Sequence, residues 1–187
     1  MRWTRRTRFD PQGAALADKH YSRKTIGSDQ FMPSGKALVL VTEDGDAVWG
    51  SSWQLAADGT SMAFHAWPRA WVCSIFRNES AHLSSELIRE ALAVTRYEWG
   101  NPTDQGMVTF VDADKVRPKR DPGRCFIRAG FKRVGETGSG KVALQILEAA
   151  MPEAEPAIGT NRTLFAPVTR EVSRRRTHPG GPLEDIA

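Results

Sequence analysis

Cysteine is scarce in this 187-residue chain, and the shortage argues against two classes of small protein. Only Cys73 and Cys125 are present, far apart and without a CxxC pair. Disulfide-stabilised secreted domains and thiolate zinc modules need more cysteines or closer spacings. The expected state of both residues is a buried free thiol.

Long apolar runs are also missing. No run approaches the ~18–20 residues that a membrane-spanning helix needs. The basic start of the chain, MRWTRRTRFD, is not followed by the apolar stretch of a signal peptide. We therefore expect a cytoplasmic protein with no membrane partner.

The chain does have enough apolar residues for one core and an excess of basic charge at its ends. Hydrophobic residues make up 40% of the sequence, and the net charge is +4. One folded domain is expected over residues 1–150, followed by a basic, flexible tail over 151–187 that is rich in proline, glycine and arginine. Terminal arginines favour a polyanionic partner, although simple solvation would look the same.

Hydrophobic periodicity predicts an α/β (α+β) fold. The pattern gives a helix at 15–23, a hairpin of strands at 37–42 and 47–53, a strand at 71–76, an amphipathic helix at 83–99, a strand at 107–111, a short helix at 124–129 and a last strand at 142–147. This order predicts a mixed, mainly antiparallel central sheet flanked by helices.

Chemistry-bearing residues cluster after the first predicted helix. His20, Tyr21 and Ser22 provide a titratable base, a phenol and a hydroxyl in adjacent positions, so we predict that they are catalytic. Asp112 and Asp121, which follow the 107–111 strand, are predicted to help move protons. An alternative role for His20 is to cap the C-terminus of the helix.

The turn between the 71–76 strand and the long helix is the predicted cofactor site. A helix N-terminus presents unpaired N–H groups that could hold phosphate. The candidate residues are Arg77, Asn78, Glu79, Ser80, His82 and Ser84. An ordinary capped helix start would also explain this pattern.

Several basic and aromatic residues are candidates for binding nucleic acid. Trp67 and Arg69 lie in a loop, where the indole could stack on an extruded base. Phosphate contacts are predicted for Arg23, Lys119, Arg120 and Arg124. His65, in the same loop as Trp67, could either pack or stack.

A metal site is not predicted. Asp112, Asp114 and Asp121 with His20 or His65 contain the right ligand types for iron, but no HxD or HExxH spacing accompanies them. Surface carboxylates paired with nearby lysines and arginines explain them adequately, while an iron site stays open as an alternative.

The run from Arg124 to Phe131, a short helix followed by Gly-Phe, resembles the end of GNAT (acyltransferase-like) domains. A closer resemblance is to the phage Mom-like DNA-modification proteins of that superfamily. The motifs that carry it are His20-Tyr21-Ser22-Arg23, Phe76-Arg77-Asn78-Glu79, Ser84-Ser85-Glu86 and Asp121-Pro-Gly-Arg-Cys-Phe126.

This resemblance implies a catalytic domain at 1–150 that adds an acetamido (carbamoylmethyl) group to the exocyclic amine of adenine in DNA, shielding it from restriction enzymes. Double-stranded DNA is then the expected partner, and the target base must be flipped from the stack. The compartment would be the host cytoplasm if the chain is phage-encoded. A homodimer is left open.

One departure from the superfamily concerns the donor. Acyltransferases of this type usually hold the coenzyme A pyrophosphate on an Arg/Gln-x-x-Gly-x-Gly/Ala loop, and the corresponding run from Arg77 to His82 lacks both glycines. Acyl-coenzyme A and an aminoacyl carrier such as a charged tRNA are both kept as candidate donors. Alternative functions are an ordinary N-acyltransferase and a non-catalytic DNA-binding protein.

Overall fold

A computed structural model describes residues 1–54, 66–116 and 121–160 of the chain. Its strands are Trp3–Arg6 (β1), Lys36–Thr42 (β2), Ala47–Trp53 (β3), Trp71–Asn78 (β4), Met107–Val111 (β5), Lys132–Glu136 (β6) and Val142–Ile146 (β7). Its α-helices are Pro11–Asp18 (α1), Ser84–Trp99 (α2) and Arg124–Ala129 (α3), and short 3-10 helices cover Ala113–Lys115 and Glu148–Ala150.

The strands form one sheet of seven in the order β1-β2-β3-β4-β5-β7-β6. Every neighbouring pair is antiparallel except β4 and β5, which are parallel. The prediction of a mixed, mainly antiparallel sheet flanked by helices is confirmed. The single parallel pair follows from α2, which carries the chain back to the end of the sheet at which β4 begins, so that β5 runs in the same direction as β4.

The parallel pairing between β4 and β5 is short. It joins Trp71 to Met107, Val72 to Val108 and Cys73 to Thr109, and it stops there. In the register with β3, Gly50 pairs with Ile75 and Ser51 with Cys73, which leaves Ser74 as the extra residue of a bulge in β4. A bulge bends its strand, and the two strands separate beyond this point.

The core lies on both faces of the sheet. On one face α2 buries residues at helical spacing, among them Leu87, Ile88, Ala91 and Leu92, beside three fully buried tryptophans, Trp3, Trp49 and Trp71. On the other face α1 buries Leu16 and Ala17 against β2 and β3. The apolar residues of the two helices therefore cover the sheet from both sides.

The first helix lies earlier than the predicted span of 15–23. It begins at Pro11 because Asp10 caps it, with Asp10 Oδ1 accepting the Gly13 N–H at 2.8 Å, and proline suits the first helical position. It ends at Asp18. The residues from His20 to Arg23 consequently lie in a turn rather than on the helix.

The chain continues to pack on the domain beyond residue 150, where composition placed the start of the tail. Met151 and Ala157 are buried, and the Ile158 N–H donates to the Trp3 carbonyl at 2.8 Å. The predicted tail from residue 161 onward lies outside the described residues. No helix in the described ranges has the length and apolarity to cross a membrane.

Candidate functional site

A cleft opens where β4 and β5 separate, and we call it the β4–β5 cleft. It has a volume of about 160 Å³. Its walls come from the two strands, from the turn after α1, from α3 and from the residue before β7; the lining residues are His20, Tyr21, Ser22, Val72, Cys73, Ser74, Ile75, Phe76, Thr109, Phe110, Val111, Phe126 and Lys141. A crevice at the carboxyl ends of diverging parallel strands is a common ligand site in open α/β sheets.

The turn that carries His20 is fixed at the cleft by hydrogen bonds. The His20 N–H donates to the Ala17 carbonyl at 2.9 Å, which extends the last turn of α1. The Arg77 guanidinium, at the end of β4, donates to the Lys19 carbonyl at 2.7 Å. These bonds hold the His20 backbone beside the open ends of the strands.

His20 forms a local cluster with the two residues that follow it. Its ring stacks on Tyr21 with 4.3 Å between centroids, and its Nδ1 lies 2.7 Å from Ser22 Oγ. The Ser22 backbone N–H also donates to Nδ1 at 3.2 Å. Because an N–H can only donate, Nδ1 is the acceptor, and the neutral ring carries its proton on Nε2.

The environment of His20 keeps its ring neutral at physiological pH. Burial, and then the positive charge of Arg77, lower the pKa of His20 from 6.5 to about 4. A neutral imidazole whose Nδ1 contacts a serine hydroxyl can take a proton from that hydroxyl.

Tyr21 supplies a protonated phenol at the same place. Burial raises its pKa above the ordinary value, and the Asp112 backbone N–H donates to Tyr21 Oη at 3.4 Å. A phenol of this kind can donate a hydrogen bond to developing negative charge in the cleft.

Neither Asp112 nor Asp121 lines the cleft, although Asp112 lies beside Tyr21. Asp112 contacts Tyr21 through its backbone, while its carboxylate accepts the Asp114 N–H at 3.1 Å and so starts the short helix there. Asp121 is exposed in the turn before α3, with its carbonyl accepting the Arg124 N–H, and it does not line the cleft. The predicted proton-transfer group is thus reduced to His20, Tyr21 and Ser22.

Several cleft residues were not foreseen from the sequence. The Thr109 hydroxyl donates to the Cys73 carbonyl at 3.2 Å, at the last pair of the parallel register, and the hydroxyls of Ser52 and Ser74 lie 2.7 Å apart. Lys141 lines the opening as a cation. Polar residues within otherwise apolar strands are the signal that could have identified Ser74 and Thr109.

Both thiols near the cleft are protonated at neutral pH. Cys73 is buried and Cys125 is half-buried, and burial raises the pKa of each above the ordinary value for cysteine. A thiolate is the reactive form of cysteine. Neither residue is therefore suited to act as the nucleophile here.

Arg77 and Glu79, predicted to bind the cofactor, form an ion-pair network with Lys19. Glu79 accepts from Arg77 and from Lys19, each at 2.8 Å. These contacts, the one with Lys19 first, lower the pKa of Glu79. The network fastens the end of β4 to the end of α1 and occupies the Arg77 guanidinium.

The other predicted cofactor residues bond mainly to one another. Asn78 Oδ1 accepts the Ser80 N–H at 2.9 Å and the Ser80 hydroxyl at 2.6 Å, and Asn78 Nδ2 donates to the His82 carbonyl at 2.8 Å and to Ser84 Oγ at 3.1 Å. The His82 N–H donates to Ser80 Oγ at 3.1 Å. The backbone N–H groups of Ser80 and His82 are therefore engaged inside this loop. The helix that follows begins after Leu83 without a side-chain cap.

The residues predicted to bind nucleic acid differ in exposure and in the contacts they make. The side chain of Arg23 is only 8% exposed, and it pairs with Asp18 at 2.7 Å while donating to the Ser28 and Gln30 carbonyls. Its guanidinium is thus occupied in holding the loop after α1. Trp67 is half-buried and packs on Phe110, with 5.8 Å between ring centroids.

Arg69 and Arg124 are exposed. Arg69 has a φ of 65°, and its carbonyl accepts the Trp53 indole N–H at 3.1 Å. Arg124 is the first residue of α3. The predictions for Lys119 and Arg120, and the two roles weighed for His65, concern residues outside the described ranges.

Within the described ranges, no group of three or more histidine, cysteine, aspartate or glutamate side chains is arranged to hold a metal ion. The iron site kept open in the sequence analysis therefore gains no support from Asp112, Asp114 and His20.

The fold and the site define an α+β protein with an open sheet and a cleft that holds a neutral imidazole, a phenol and a hydroxyl. Comparison with protein-family models, with curated proteins and with solved structures gave no match.

Proposed function

We propose that this protein is a DNA-modifying transferase that adds an acetamido (carbamoylmethyl) group to the exocyclic amine of adenine in double-stranded DNA and so protects the DNA from restriction. The observation that carries the proposal is the cluster of His20, Tyr21 and Ser22 over the β4–β5 cleft. The element order and the short parallel β4–β5 pair support the GNAT-like scaffold that the sequence resemblance implies.

The cluster suits the chemistry of an adenine amine. That amine is a poor nucleophile because its lone pair is delocalised into the ring, and it must lose a proton as it forms the new bond. Ser22 Oγ, which lies 2.7 Å from His20 Nδ1, can pass this proton to the imidazole. The Tyr21 hydroxyl can stabilise negative charge on the departing part of the donor.

Aromatic side chains in the cleft suit a planar substrate. Phe76, Phe110 and Phe126 line it together with Tyr21. An aromatic wall favours a base that has been flipped out of a duplex, since stacking compensates part of the unstacking cost.

Acyl-coenzyme A is the less supported donor, and with it the ordinary N-acyltransferase. The loop from Arg77 to His82 lacks both glycines of a coenzyme loop, and its Ser80 and His82 N–H groups are engaged in hydrogen bonds inside the loop. An aminoacyl donor such as a charged tRNA does not depend on that loop. A saturable thermal stabilisation by acetyl-coenzyme A would reverse this preference.

Nucleoside mass spectrometry of plasmid DNA from cells expressing the chain tests the proposal. We expect a deoxyadenosine species heavier by one acetamido group, absent from the empty-vector control. The double variant His20→Ala with Tyr21→Phe should lose the species almost completely, because removing a general base typically costs about 10²–10⁴-fold in rate.

A matched control is Lys132→Gln, an exposed change on β6, at the far edge of the sheet from the first strand. It should leave the modification unchanged. Undiminished modification by a folded His20→Ala, Tyr21→Phe protein would refute the assigned site. Unmodified DNA from cells that contain the folded wild-type chain and all proteins of its natural host would refute the function.

A further inference from the structure

A second surface with chemistry of its own lies at the edge of the sheet, away from the β4–β5 cleft. β1 is the edge strand, and its pairing with β2 ends where Arg6 meets Val39. β2 begins three residues earlier, at Lys36. The sheet edge therefore has a notch beside the first residues of β2.

The notch opens into a groove of about 610 Å³. The turn after β1 forms one wall, and the first part of β2 forms the other; the lining residues are Arg5, Arg6, Thr7, Arg8, Asp10, Ala37, Leu38 and Val39. Arg5, Arg6 and Arg8 line the groove, and Phe9 and Lys36 are their exposed neighbours in the turn and at the start of β2. We call these five residues the edge patch.

Positive charge exceeds negative charge at the edge patch. Arg5 pairs with Glu98 at 2.9 Å, and Arg6 pairs loosely with Asp10 at 3.7 Å. Arg8 donates to the Gly35 carbonyl at 2.7 Å, and no ion pair within the described residues involves Arg8 or Lys36. Four cations against two carboxylates leave a net charge of about +2, which attracts a polyanion.

Lys36 is held in a fixed position. Its ammonium lies 5.3 Å from the centroid of the Trp53 ring and 5.2 Å from that of the Trp99 ring, and these two rings stack on each other. Cation–π contacts of this kind orient the charge without occupying its N–H donors in hydrogen bonds. The lysine is therefore preorganised to donate to an anion.

Phe9 adds an exposed apolar residue to the turn that lines the groove. It lies in the turn between Arg8 and Asp10 and is 59% exposed. An exposed aromatic ring next to an arginine is typical of surfaces that contact nucleic acid, where the ring packs on sugars or bases while the cation contacts phosphate.

We propose that the edge patch binds the phosphate backbone of duplex DNA and that it orients the duplex from outside the β4–β5 cleft. The choice of duplex DNA as the polyanion rests on the proposed function. Charge complementarity, the fixed ammonium of Lys36 and the exposed ring of Phe9 carry the placement.

The test measures binding of a short fluorescent duplex at several salt concentrations. Each phosphate contact contributes about 0.9 to the slope of log K against log salt concentration. The double variant Arg8→Gln with Lys36→Gln should therefore lower the slope by about 1.8, whereas Phe9→Ala should weaken binding with little change in slope. Lys132→Gln removes one positive charge at the opposite edge of the sheet and should reproduce the wild-type slope.

The outcomes separate this proposal from the proposed function. An unchanged slope and affinity in Arg8→Gln, Lys36→Gln would overturn the edge patch, even if adenine modification persists. A reduced slope in a protein that never modifies adenine would uphold the patch and overturn the function. A larger loss of affinity for tRNA than for duplex DNA would overturn the choice of duplex.

Discussion

His20 allows a quantitative prediction because its protonation is coupled to folding. Its pKa is about 4 in the folded chain and 6.5 as a free side chain. Between these two values the unfolded chain binds a proton that the folded chain does not. The free energy of unfolding should therefore fall as pH drops below about 6.5 and stop falling, for this residue, below about pH 4.

The magnitude follows from the separation of the two pKa values. A separation of 2.5 (6.5 minus 4) at 1.36 kcal/mol per pKa unit is equivalent to about 3 kcal/mol. The ring is only half-buried, so screening by water reduces the expected loss to about 2 kcal/mol. Tyr21 and Ser22 contact the ring, and Arg77 is the charged group that lowers its pKa.

Urea unfolding of the wild type and of His20→Gln between pH 7 and pH 4.5 measures this effect. The two proteins should differ in how steeply stability falls with pH, since glutamine has no proton to bind. The pKa values of Asp18 and Glu79 are also lowered, so their protonation also reduces the free energy of unfolding as pH falls. This reduction should be equal in the two proteins. Parallel pH profiles would refute the reasoning.

Two substitutions test other parts of the structure. A Cβ at Gly50 would lie 2.3 Å from Met32 Sδ and 2.7 Å from Ile75 Cγ2, so Gly50→Ala should lower the free energy of unfolding by about 1–3 kcal/mol, measured by urea unfolding. Arg23→Met should cost about 2 kcal/mol by breaking the pair with Asp18, and it should leave the salt dependence of DNA binding unchanged. A reduced salt slope in Arg23→Met would instead support the predicted phosphate contact.

Most of the central elements could be predicted because their periodicity is local. α2 has apolar residues at helical spacing along its whole length, and β2 and β3 are apolar runs joined by a tight turn. β1 could not be predicted, because only Trp3 of its four residues is buried and the other three give no alternation of apolar and polar residues. An edge strand of this kind is specified by its partner strand rather than by its own pattern.

The site was partly predictable for a similar reason. His20, Tyr21 and Ser22 are adjacent in the chain, so their chemistry is visible in the sequence. Ser74 and Thr109 come together only through the short parallel pairing and the bulge that ends it, neither of which has a local signal.

The role of Arg77 shows what a motif cannot reveal. In the sequence it reads as the first residue of a phosphate-binding loop. In the structure its guanidinium donates to the carbonyl of Lys19, 58 residues away, and after burial its charge is the second cause that lowers the pKa of His20. Only the three-dimensional contact distinguishes a residue that binds phosphate from one that positions the general base, His20.

The loop that lacks the two glycines is closed by side-chain hydrogen bonds, since Asn78 bonds to Ser80, His82 and Ser84. The Ser80 and His82 N–H groups are engaged inside it, so we expect recognition of the donor to rest partly on other groups. Lys141 is the cation that lines the β4–β5 cleft itself, and it is the first residue at which a contact with the donor should be sought.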